Sequence, residues 1–166
     1  MSRADRTPLV AGLVAVGALA AMLVFSMRRP PAGEPADAAR TDLAYLTPFG
    51  APTRPFSPAV RVGDLLYLSG QIGTDASANG GLIAGGIEAE TRQTLANIQR
   101  TVEALGSSMD KLVKCTVMMA DMAEWDRMNV VYREFFPAGR FPARSAFGTS
   151  GLALGARVEI ECIAAR

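Results

Sequence analysis

The chain has 166 residues, a formal net charge of +1 and no histidine. Its 17 Lys and Arg are scattered among 16 Asp and Glu, so no basic stripe marks a nucleic-acid footprint. Ser-His-Asp and Cys-His catalysis and His-ligated metals are excluded outright.

Residues 9–27, Leu9 to Met27, form an uncharged, almost wholly apolar run of 19 residues. At roughly 1.5 Å per residue it reaches roughly 28 Å, close to a bilayer core. We read it as an N-terminal membrane anchor. A cleaved signal is the alternative, because Ala18-Leu-Ala20 offers a small-residue cleavage site. Cutting there would leave Met22-Leu-Val-Phe on the mature end, and the run exceeds the usual apolar region of about 7–15 residues. Arg3 and Arg6 precede the run, and Arg28 and Arg29 follow it, so charge leaves the orientation tied. Residues 28–42, with Pro30, Pro31 and Pro35, read as a semi-extended linker. Residues 43–166 remain as one domain, long enough for a real core.

The domain opens irregularly, with Pro48, Pro52, Pro55 and Pro58. Ala59-Val-Arg-Val, Gly63-Asp64 and Leu65-Leu-Tyr-Leu-Ser predict a β-hairpin on a two-residue turn. Asn79-Gly80-Gly81 predicts another turn. The glycines up to Gly86 lack a Gly-Lys-Ser/Thr ending and dinucleotide-binding spacing, so they are not a phosphate loop. An amphipathic helix is predicted from Ile87 to Leu105, stopped by Gly106. A strand from Met109 to Ala120 follows. Asp121, with Glu124 three positions on, predicts a capped second helix. Its stripe of Trp125, Met128, Tyr132 and Phe135 reads as core packing rather than cofactor stacking. Pro137 ends it.

Two closing strands are predicted, one beginning near Arg144 after Pro142 and one at Val158. In the second, Val158, Ile160, Cys162 and Ala164 share one face, and Glu159, Glu161 and Ile163 the other. Arg144 and these carboxylates are expected to meet at a sheet edge. The order β-β-α-β-α-β-β leaves two helices on one face of one sheet. The uncovered face should be buried by another subunit. Cys115 and Cys162 are expected as buried small apolar side chains, with a disulfide between paired strands as the alternative. Spacing alone does not decide.

Several of these segments resemble the RidA (YjgF/YER057c/UK114) family, in the family's order. They are Leu66-Tyr-Leu-Ser-Gly-Gln-Ile, Thr91-Arg-Gln-Thr-Leu-Ala-Asn-Ile, Val113-Lys-Cys-Thr-Val with Asp121-Met, and Asn129-Val-Val-Tyr-Arg-Glu-Phe-Phe. Pro142-Ala-Arg-Ser and Val158-Glu-Ile-Glu-Cys-Ile-Ala complete the match, which runs from about Phe49 to Ala164. The resemblance implies an α/β chorismate-mutase-like fold, a single mixed sheet with two helices on one face. It also implies a homotrimer with sheets packed inward and active sites in the clefts between subunits. The implied activity is hydrolysis of 2-imino and 2-enamino acids, such as 2-aminoacrylate, to 2-oxo acids and ammonium. No cofactor, metal or nucleic-acid partner is implied.

By resemblance, Arg144 binds the substrate carboxylate and Glu159 orients the attacking water, with Glu161 as a fallback. Ser69, Gly70 and Asn129 shape the site. A guanidinium suits the first role because its paired donors match a carboxylate. Two positions depart from the family. Phe56, in Arg54-Pro55-Phe56-Ser57, replaces a tyrosine, so it walls the pocket without a hydroxyl. Ala146 replaces a frequent cysteine. Imine hydrolysis needs only a placed water and a neutralised carboxylate, which suits a site without histidine. Two other readings stay open. One is a non-catalytic trimeric module that binds small carboxylates or client proteins. The other is an endoribonuclease, against which near-neutral charge and the lack of histidine argue.

Overall fold

The computed structural model describes residues 42–51, 53–75 and 78–166. The expected anchor, residues 9–27, lies outside them, as does the linker up to residue 41. Among the described residues, no helix is long and apolar enough to cross a membrane.

The elements are β1 (Leu43–Leu46), β2 (Ala59–Val62), β3 (Leu65–Leu68), β4 (Gln71–Ile72), α1 (Gly86–Ala104), β5 (Leu112–Met119), α2 (Trp125–Glu134), β6 (Ala143–Gly148) and β7 (Val158–Ala165). They build one seven-stranded sheet in the order β1-β2-β3-β7-β5-β6, with β4 also paired to β7. The β5–β6 pair is parallel and the other pairs are antiparallel, so the sheet is mixed as expected. Gly63, at φ +59°, makes the tight β2–β3 turn that a side chain would disfavour.

The core lies between the two helices and one sheet face. Ile87, Leu95, Ile98 and Val102 of α1 and Met128 of α2 are buried against Leu66, Val117, Met119, Val158 and Ile160. Each such side chain contributes about 1.5–3 kcal/mol by leaving water. The other face is open. It carries Leu43, Tyr45, Leu65, Tyr67 and Phe147, all exposed, together with half-buried Met118 and Ile163. An apolar sheet face of this kind is what a further subunit would cover.

Several local expectations need correction. Strand β5 starts at Leu112, because Met109–Lys111 coil into a 3₁₀ turn. Asp121 caps a second 3₁₀ turn, Met122–Glu124, by accepting from the Ala123 N–H at 2.8 Å. Glu124 does not reach back to close a capping box. It accepts instead from Nη1 of Arg157 at 2.8 Å, while the Arg157 N–H donates to Glu90 at 2.8 Å. These bonds tie both helices to the start of β7. The buried stripe of α2 is Met128, Val131 and Tyr132, continued by Phe136, whereas Trp125 and Phe135 are only half-buried.

The cysteines are not free thiols. Cys115 and Cys162 are directly opposed in the β5–β7 register and form a disulfide. Strand pairing decides this, and strand pairing is not visible in spacing alone. The crosslink joins positions 47 apart in sequence. By chain entropy a loop of that size is worth about 4 kcal/mol. Replacing both cysteines with alanine is therefore expected to lower the unfolding free energy by about that amount, read from the denaturant midpoint with and without reductant.

Candidate active site

The face that α2 presents at i, i+4 and i+7 carries Trp125, Asn129 and Tyr132. It lies over β6. Arg144, second residue of β6, pairs with buried Cys115 and so points to the helix side of the sheet. Its guanidinium carbon sits 4.9 Å from the Trp125 ring centroid and 4.5 Å from that of Tyr132. Stacking of this kind fixes the plane and leaves the N–H edge available. No described carboxylate forms an ion pair with Arg144. The guanidinium opens on a cavity of about 460 Å³, also lined by Asn129, Arg133, Phe141 and Pro142. Ala146 lies two residues further on β6, half-buried on the same face and packed against the core.

Glu159 sits elsewhere. It alternates with buried Val158 and Ile160, and pairs with Ile72 of β4 and Met118 of β5. It therefore lies on the open face. A Cβ built on Gly70 would stand 2.9 Å from Cδ of Glu159 and nearer still to its Oε1. The absence of a side chain at Gly70 is thus what lets the carboxylate rest there. Ser69 precedes it, and its Oγ donates to the Ser57 carbonyl at 2.6 Å. That bond tethers the segment carrying Phe56. Phe56 is 48% exposed and lines a separate shallow hollow with Phe49, Arg54 and Pro58.

Burial, and then repulsion from Glu161, holds the Glu159 carboxyl above the ordinary carboxylate value of 4.5. Glu161 itself is exposed. A carboxylate used as a base must be ionised, so its activity is lost as pH falls through its own pKa. Were Glu159 the base of a hydrolytic site, the acid limb of its kcat/KM would lie above pH 4.5. Glu161→Gln should move that limb downward, because one of the two causes is removed. A pH–rate profile of parent and variant checks both.

The expected site residues thus fall into two groups within one chain. Arg144, Asn129 and Ala146 lie on the helix side, and Ser69, Gly70 and Glu159, with Phe56 tethered nearby, lie elsewhere. The expectation that Arg144 and Glu159 meet at a sheet edge is corrected. Strand β5 runs between β6 and β7, and the two side chains leave opposite faces. Trp125 and Tyr132 pack on the core as the sequence predicts, and they also carry Arg144 over their rings, which the sequence reading does not foresee. The signal was available, since 125, 129 and 132 share one helical stripe.

The profile of the family described as Endoribonuclease L-PSP matches residues 49–166. The chain belongs to this family, the RidA (YjgF/YER057c/UK114) family of the sequence resemblance. It is similar to Reactive Intermediate Deaminase A, chloroplastic, of Arabidopsis thaliana, at 34% identity over 98% of this chain and 88% of that protein. It is also similar to the 2-iminobutanoate/2-iminopropanoate deaminase of Mus musculus, at 42% identity over 66% of this chain and 80% of that one. Among solved structures, RidA from the Antarctic bacterium Psychrobacter sp. PAMC 21119 superposes with a TM-score of 0.65 at 34% identity. That likeness covers 70% of this chain and 92% of the other.

Proposed function

We propose that this chain hydrolyses reactive 2-imino and 2-enamino acids to 2-oxo acids and ammonium. The observation that carries the reading is Arg144, a guanidinium held over two aromatic rings, unpaired among the described residues and facing a cavity. The names of the relatives point to the same chemistry.

In this reading Arg144 grips the substrate carboxylate through two charge-assisted N–H bonds. A 2-enamino acid first takes a proton at carbon and becomes the imine. Water then adds to the C=N carbon while Glu159 accepts its proton. Glu159 returns its proton to the nitrogen of the tetrahedral aminoalcohol, the C–N bond breaks as the hydroxyl gives up its own proton, and the 2-oxo acid and ammonium result. No cofactor is required.

Because Arg144 and Glu159 occupy opposite faces of one sheet, the complete site needs two chains. We assign it to the clefts of a homotrimer whose open sheet faces pack inward. One subunit supplies Arg144, Asn129 and Ala146, and its neighbour supplies Ser69, Gly70 and Glu159. The exposed apolar side chains of that face support this arrangement. Residues 9–27 would hold the assembly at a membrane.

The test is release of pyruvate and ammonium from freshly generated 2-aminoacrylate. Arg144→Ala is expected to lose about 100- to 1,000-fold in kcat/KM. An alanine variant that hydrolyses as fast as the parent ends the assignment. The second reading, a module that binds carboxylates without turning them over, is motivated by the missing hydroxyl at Phe56. Saturable 2-oxo-acid binding with no turnover would select it.

A further inference from the structure

Tyr132 is only 3% exposed, and its hydroxyl is buried without a hydrogen-bond partner. Buried hydroxyls are normally satisfied, and an orphan costs stability unless something completes it. Its ring lies 4.5 Å from the Arg144 guanidinium and lines the same cavity. A carboxylate held by Arg144 would enter the cavity that Tyr132 also lines. Burial pushes the phenol up to about 12, although Arg144 pulls the other way. At neutral pH the group is therefore a donor and never a phenolate.

We propose that the Tyr132 hydroxyl is a second donor to the substrate carboxylate, completing the grip of Arg144 from the same helix-side half of the site. The inference rests on the reading of Arg144 as that grip. It goes beyond it by assigning a ligand contact to a residue whose sequence position reads as core. It also bears on the loss at Phe56. The site keeps a phenol donor, placed at the carboxylate end of the substrate.

Tyr132→Phe keeps the ring, its stacking on Arg144 and its contact with Phe136, at 4.9 Å between centroids. It removes one oxygen. Calorimetric titration of the full chain with 2-oxobutanoate, with Arg144→Ala alongside, provides the test. Tyr132→Phe is expected to weaken binding about tenfold. KM for 2-aminoacrylate should rise by a similar factor while kcat holds within about twofold. The unfolding midpoint should stay level or rise, since an unsatisfied polar atom is deleted. Unchanged binding in Tyr132→Phe, with binding lost in Arg144→Ala, overturns the proposal and leaves the Arg144 reading intact. A lowered midpoint in Tyr132→Phe also overturns it, because the hydroxyl then serves the fold. Unchanged binding in Arg144→Ala overturns the underlying reading instead.

Discussion

Chains carrying Arg144→Ala and chains carrying Glu159→Gln, produced together with different tags and purified as mixed assemblies, are expected to recover activity that neither variant has alone. The reason is geometric. Arg144 leaves the helix side of β6, and Glu159 leaves the open side of β7. In a closed ring of identical subunits, each cleft takes one residue from each of two neighbours. A cleft works when its Arg144 comes from the Glu159→Gln chain and its Glu159 from the Arg144→Ala chain. In a trimer holding both kinds of chain, whether two to one or one to two, this combination falls at about one cleft in three. The purified mixed trimers should then show about a third of parental kcat, with parental KM in the working clefts. A mixture as inactive as its two components would mean that the residues do not share a site.

Gly70→Ala should be nearly as damaging as losing either residue. The added Cβ would occupy the space of the Glu159 carboxylate. Gly70 is not among the glycines at positive φ, so alanine suits its backbone. The obstacle is the far end of a flexible side chain, which can swing aside. Folding is therefore expected to suffer by no more than about 1 kcal/mol. Catalysis is not so tolerant. A displacement of roughly 1 Å in a water-positioning group costs about 100-fold in rate. The expected result is a kcat about 100-fold below the parent with an unfolding midpoint close to it. Since Arg144 is untouched, affinity for 2-oxobutanoate should change far less than turnover. A normal kcat in this variant would separate Glu159 from the chemistry.

Much of this was legible in the residues themselves. The hairpin at Gly63, the α1 stripe and the alternation along β7 follow from local periodicity, which the chain carries without reference to distant partners. What periodicity cannot give is which strands lie side by side. Insertion of β5 between β6 and β7 is a fact of topology. It separates Arg144 from Glu159 and sets Cys115 opposite Cys162. Trp125 and Tyr132 do pack on the core, and their added contact with Arg144 is not legible for a related reason. An aromatic stripe on a helix reads as core whether it packs on leucine or on a guanidinium. Only the identity of the facing residue, Arg144, distinguishes the two.

The Cys115–Cys162 bond has a further effect. Side chains alternate along a strand, so sliding β7 past β5 by a single position would turn Glu159 into the apolar interior and push Val158 or Ile160 out. Covalent closure between those strands forbids that slippage while it is intact. Since β6, bearing Arg144, hangs on β5, the crosslink also fixes how far apart Arg144 and Glu159 of one chain stand. In a ring, that spacing sets how each subunit's two contributions line up with those of the subunits on either side.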